Sequence, residues 1–189
     1  MIESWDRLDS RPQADYGIQR VRCDRVRRPR TGKAHDFLVL EMPEWTNVVA
    51  DTPERRVVLI RQYRHGNGRV GLEIPGGVVD AGDPSPAATA RRELSEETGY
   101  RAGEVLLQGR VAPNPAIQNN GCHTFLALDA RPGSGQRLDA GEDIEVEEVP
   151  LDRIPALILD GSIEHGLVVA AFHFLDLFRR RHPDTLGLP

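Results

Sequence analysis

Long apolar runs are absent from this chain. The most apolar one, Leu167 to Phe178, is too short to cross a bilayer and is interrupted by His173 and Asp176, so no membrane partner is expected. Cysteine is scarce. Cys23 and Cys122 stand far apart; their spacing fits neither a disulfide framework nor a zinc site, and both read as reduced thiols of a cytoplasmic protein. An excess of basic residues is also missing. The net charge of -5 gives no electrostatic reason to expect nucleic acid or anionic membranes, and it suits a protein that recruits metal cations. The opening stretch Met1 to Gln13 is charged and polar, so no secretory leader is expected. Internal repeats and low-complexity segments are absent too.

What remains is an ordinary composition, 39% hydrophobic and 28% charged over 189 residues. That is enough for one domain with a small appendage. The first fifteen residues read as an irregular lead-in. Strands are expected over Tyr16–Val26, Asp36–Glu41, Trp45–Ala50, Val57–Tyr63 and Leu72–Ile74, punctuated by turns at Arg27–Lys33, Asp51–Glu54 and His65–Gly68. Ser85 is a good N-cap, Pro86 suits the first helical position, and Gly99 supplies a stop, which together predict a helix from Pro86 to about Thr98. Strands follow near Val105–Val111, His123–Leu128 and Ile144–Val149. Helices near Leu151–Leu159 and Ile163–Arg180 close the chain. The pattern is α+β: strands first, one helix among them, helices last.

The densest chemistry lies at the central helix. Glu93, Glu96 and Glu97 recur at i, i+3 and i+4 and, at about 100° per residue, fall within a wedge of roughly 100°. Like charges so placed repel, and a hard divalent cation is the natural compensation. A bare E-x-x-E-E is more often a solvated helix face. Here the preceding Gly76, Gly77 and Gly82 allow backbone to approach a ligand closely, and Arg92 can pair with Glu96 one turn on. An oxygen-only donor set favours Mg2+ or Mn2+ over zinc.

The segment Gly77 to Tyr100 resembles the Nudix box, G-x5-E-x7-R-E-U-x-E-E-x-G-U, where U is bulky and apolar. Arg92 to Tyr100 matches throughout with Tyr100 as U. The loop half departs from the pattern: Asp83 replaces the family's Glu, and eight residues rather than seven separate it from Arg92. The extra residue near Pro84-Ser85-Pro86 should lengthen the loop without turning the carboxylate face, and the weight rests on the helix glutamates more than on Asp83. The resemblance implies an α/β/α Nudix sandwich with a mixed sheet. Glu93 and Glu97 would be the principal metal ligands, with Glu96 close behind, the Gly76 carbonyl would complete the set, and Arg92 would orient the glutamates.

Flanking residues resemble the ADP-ribose and nucleoside diphosphate sugar pyrophosphatase branch. Pro115 lies fifteen residues past the box, within a stretch Asn114–Asn120 similar to that branch's substrate loop, where Asn119 is a further substrate candidate. Arg61-Gln62-Tyr63-Arg64 ends a strand, and its last Arg would approach the diphosphate, with Arg61 as a second candidate. Glu73 matches a glutamate that helps hold metal or substrate. Glu142 is the preferred general base of the late acidic loop, with Asp143 and Glu145 as rivals. The early strands are similar to an extra N-terminal sheet exchanged between subunits, so residues 1–50 are expected in the interface of a homodimer and 51–189 to form the Nudix domain. Trp45 and the basic run Arg22 to Arg30 fall in or beside that sheet, where a core residue and a solvated hairpin are the plainer readings. His165 and His173 receive no role; His173 is expected to pack within its apolar helix. The implied activity is Mg2+-dependent hydrolysis of ADP-ribose or a nucleoside diphosphate sugar. The alternatives are a dinucleoside polyphosphate, a coenzyme A derivative or an oxidised nucleotide as substrate, or a sensor that binds a nucleotide sugar without cleaving it.

Overall fold

A computed structural model describes residues 1–183. The chain divides into two units. The first comprises Met1–Glu44 and Ala112–Gly121; the second comprises Trp45–Val111 and the chain from Cys122 onward. The first unit therefore ends before Trp45, and a second segment joins it.

In the first unit β1 (Asp6–Asp15), β2 (Arg20–Arg27) and β3 (Ala34–Glu41) form an antiparallel sheet in the order β1-β2-β3. The lead-in expected to be irregular is thus largely a strand. Its sequence has no apolar alternation, so pairing comes from backbone and charge: Ser10 donates to Asp24 at 2.6 Å, and Arg27 bonds Asp6 at 3.0 Å. Pro12 lies beside a register shift on this edge strand, where a missing N–H is tolerated.

The second unit contains β4 (Trp45–Asp51), β5 (Arg56–Arg64), β6 (Arg69–Glu73), β7 (Gly76–Val78), α1 (Pro86–Thr98), β8 (Tyr100–Arg101), β9 (Glu104–Val111), β10 (Cys122–Leu128), β11 (Arg131–Pro132), β12 (Ile144–Pro150), α2 (Ile154–Leu159) and α3 (Gly166–Arg181). Its main sheet runs β12-β5-β4-β10-β9 and is mixed: β10 pairs parallel to β4 and antiparallel to β9. β4 and β5 pair only at Ala50–Val58 and Asp51–Val57. Beyond that they part, β5 taking β6 and β4 taking β7 as neighbours. Ile74-Pro75 carries the chain across the split, and the Pro75 carbonyl accepts the Val48 N–H at 2.9 Å.

Strand alternation puts successive side chains on opposite faces. Val48, Ala50 and Val58 face α1 through Ala90 and Leu94. Val49, Val57, Leu59 and Leu126 face α3 through Val168, Ala171, Phe172 and Leu175, an i, i+3, i+4, i+7 stripe. The result is an α/β/α sandwich. His173 lies off that stripe and is exposed rather than packed, and α3 starts at Gly166, not at Ile163, which is buried in the core before the helix begins.

α1 obeys its local signals. Ser85 caps it by accepting the Ala88 N–H at 3.2 Å, Pro86 opens it, and Gly99 ends it in the left-handed region at φ 75°. Gln136 Nε2 and the Arg137 N–H then bond the carbonyls of Glu97 and Glu96 at 2.7 and 2.8 Å. Leu94, 1% exposed, anchors the helix and so fixes the carboxylate face. Truncation in Leu94→Ala is expected to cost about 2–5 kcal/mol of unfolding free energy. Exposed Arg91→Ala should stay within about 0.5 kcal/mol of wild type in the same urea titration. A loss below about 1 kcal/mol for Leu94→Ala contradicts this anchoring.

Candidate active site

The β4/β5 split brings α1, β6 and β7 together. Gly77 backs directly onto Glu93: a Cβ there would collide with the Glu93 carboxylate and displace it from this position. The Gly76 N–H donates to Glu97 Oε2 at 2.9 Å. Glu97 is 2% and Glu93 8% exposed. Burial pushes the Glu97 carboxyl up to about 8; the Gly76 N–H opposes this, and the charges of Glu93 and Glu142 add to it. Burial likewise pushes Glu93 up to about 7 against the pull of Arg92, with Glu96 and Glu142 adding to the rise. Both carboxyls bind protons more tightly folded than unfolded. Without a cation, their contribution to stability is fully present below the usual carboxylate pKa and is lost as pH rises through about 7 and 8.

Arg92 is the organiser of this face. Its Nη1 lies 2.9 Å from Glu93 Oε1 and 3.0 Å from Glu96 Oε2. Its Nη2 lies 3.0 Å from Asp83 Oδ2 and 3.3 Å from Asp80 Oδ2. Asp83, given less weight than the glutamates in the sequence, holds both Arg92 and the Thr89 hydroxyl, the latter at 2.8 Å. The lengthened loop therefore still delivers a carboxylate to Arg92, whose donors are taken up by side chains of its own chain.

Among the described residues no three His, Cys, Asp or Glu side chains already form a closed metal cage. The donor chemistry nevertheless fits a hard cation. Two buried carboxylates, a third on Arg92 and the Gly76-Gly77 backbone supply only oxygen, and the burial that raises Glu93 and Glu97, with the neighbouring acids adding to it, is what a divalent ion would offset. Glu142 is partly buried, accepts the Asp139 N–H at 2.9 Å, and acts electrostatically on both carboxyls. Asp143 and Glu145 are exposed.

Arg64 and Glu73 meet across the β5–β6 pair. Arg64 Nε and Nη2 donate to the two Glu73 oxygens at 2.9 Å each, and His165 Nδ1 lies 2.7 Å from Oε2. Burial alone would raise the Glu73 carboxyl, but the bonds from His165 and Arg64 outweigh it and hold it down to about 2. With its oxygens engaged by these donors, Glu73 acts as an anchor for Arg64. Arg61 points elsewhere, bonded to Glu147 at 3.1 and 3.2 Å. Pro115 and Asn119 lie in the first unit. There Asn119 Oδ1 accepts the Met42 N–H at 3.0 Å, and a turn closes from the Gln118 N–H to the Asn114 carbonyl at 2.8 Å. Sequence reasoning missed His165 and Gln136, because each acts on a partner distant in the chain.

Comparison with known proteins agrees with this architecture. The NUDIX domain model matches residues 43–172. The chain is 31% identical to an ADP-ribose pyrophosphatase of Bacillus subtilis over 77% of its own length and 79% of that enzyme's. It is 34% identical to a GDP-mannose pyrophosphatase of Citrobacter koseri over 69% of its own length and 71% of that enzyme's. A crystal structure of an ADP compounds hydrolase superposes with a TM-score of 0.85, covering 96% of this chain and 97% of the other at 20% identity, a likeness of fold. With the box's helical half on α1, the Gly76-Gly77 strand beneath it and the family model spanning most of the sandwich, the chain belongs to the Nudix hydrolase family.

Proposed function

We propose that this Nudix hydrolase splits the diphosphate of ADP-ribose or a nucleoside diphosphate sugar into a nucleoside monophosphate and a sugar phosphate. The observation that carries this reading is the buried Glu93–Glu97 pair, only partly offset by Arg92 and the Gly76 N–H, in the same unit as a guanidinium already ordered on Glu73. Glu93, Glu96, Glu97 and the Gly76 carbonyl would hold Mg2+, or Mn2+, which when bound neutralises the diphosphate and acidifies a water. Arg92 keeps the glutamates in place. Arg64 offers its remaining N–H donors to the phosphate oxygens. Glu142 takes the proton as a water oxygen bonds to one phosphorus, and the bridging oxygen leaves with the other phosphate. Pro115 and Asn119 stay proposed substrate contacts on the sequence resemblance alone. Arg61, held by Glu147, is left out of the diphosphate contacts.

The direct test is Glu97→Gln assayed with Mg2+ on ADP-ribose, ADP-, GDP- and UDP-sugars, a dinucleoside polyphosphate and a coenzyme A derivative. Phosphate would be released from the products by a coupled phosphatase. Wild type should turn over a member of the first group, and the variant should lose on the order of a hundredfold or more in kcat. Turnover surviving within a few-fold removes Glu97 from the chemistry. Activity confined to the last two substrates reassigns the specificity.

We further propose that the first unit's sheet joins two copies of the chain. Leu8, Ile18, Phe37 and Leu38 are 48%, 64%, 48% and 60% exposed there, apolar surface that association would cover. Light scattering should give twice the chain mass for wild type and a shift to monomer for Leu38→Asp. A monomeric wild type at micromolar concentration would rule the dimer out.

A further inference from the structure

We infer that His165 is a positioning residue for substrate binding: through Glu73 it fixes Arg64 in the orientation that meets the diphosphate. This rests on the reading that Arg64 contacts the substrate. The geometry is specific. Glu73 is 3% exposed, and its two oxygens receive three N–H donors, two from Arg64 at 2.9 Å and one from His165 Nδ1 at 2.7 Å. Because Glu73 is a carboxylate, the hydrogen of that last contact belongs to the imidazole, so Nδ1 donates. His165 stands immediately before α3, at its N-cap, on a different element from either partner.

The same connection is tied down a second time. Glu164 Oε1 accepts from Asn67 Nδ2 at 3.1 Å, and its Oε2 lies 3.8 Å from Arg69 Nη1. The β5–β6 hairpin is thereby held from the α3 side by two adjacent residues, Glu164 at its turn end and His165 at Glu73, the far end of β6. Arg64 keeps 42% of its side chain exposed, so its outward N–H groups stay available to a ligand while Nε and Nη2 are committed inward. A long, flexible cation held this way loses little further freedom on binding. Without His165, Glu73 Oε2 keeps only the Arg64 donor and the anchor can rotate.

The test compares His165→Ala, His165→Asn and, as a control, exposed His173→Ala. With ADP-ribose and saturating Mg2+, His165→Ala should raise KM about tenfold, the scale of one charge-assisted hydrogen bond, with kcat within about threefold. Half-saturating Mg2+ should stay within about twofold. His165→Asn, whose amide can donate from a similar place, should recover most of KM, a rescue that a merely structural role would not give. In parallel, the Nε–H signal of Arg64, assigned with Arg64→Lys, should be slow to exchange with water in wild type. In His165→Ala it should exchange about tenfold faster. KM within twofold of wild type in His165→Ala, no recovery in His165→Asn, or an unchanged Arg64 signal would each overturn the inference. If wild type hydrolyses no diphosphate, the functional reading fails by itself and the Arg64 exchange rate alone decides the role of His165.

Discussion

The arrangement turns on the burial of Glu93 and Glu97 without enough positive charge to offset them. A carboxylate moved out of water raises its pKa or finds a cation. Arg92 reaches Glu93 and Glu96, and the Gly76 N–H reaches Glu97, yet both buried carboxyls stay well above the ordinary range. The rest of the second unit maintains this condition. Leu94 and Ala90 press α1 onto the sheet, the split between β4 and β5 admits β7 with Gly76 and Gly77 beneath it, and Gln136 and Arg137 bond the carbonyls of its last turn. The fold holds the carboxylates where water cannot discharge the cost, and the site is therefore poised for an external cation.

Positive charge is handled in the opposite way. Arg92 and Arg64 are both saturated on their inner side by acids of the chain, Arg92 by Asp83 and Glu96 and Arg64 by Glu73. Arg92 holds Glu93 and Glu96 with Nη1 and Asp83 and Asp80 with Nη2. Arg64 keeps an outward edge. One guanidinium thus braces the carboxylate face while the other is left with free outward donors, a division made by their neighbours and not by residue type.

Much of this was legible in the sequence. The Ser85 cap, Pro86 and Gly99 delimit α1 because those signals act locally, within the helix ends. The glutamate face follows from helical spacing alone. Strand parity could also have separated Arg61 from Arg64, three residues apart and so on opposite faces of β5, and the α3 stripe could have placed His173 outside the core. β1 was not legible, because its charged sequence with Pro12 carries no apolar alternation and its pairing is made by partners across the sheet. The roles of His165 and Gln136 were not legible either. His165 meets Glu73 across 92 residues of chain and Gln136 meets the Glu97 carbonyl across 39, and no local pattern encodes such contacts.

The central claim is that a divalent cation replaces protons on Glu93 and Glu97. Their pKa values near 7 and 8 mean that both are partly protonated at pH 7.5 and that a bound cation drives those protons off. Calorimetric titration of the metal-free protein with Mg2+ at that pH, repeated in buffers of different ionisation enthalpy, counts the protons released. Release on binding, diminished in Glu97→Gln, and an affinity that rises with pH up to about 8 and then levels off, is the expected result. Mg2+ binding that releases no protons, or no Mg2+ binding at all, would contradict it.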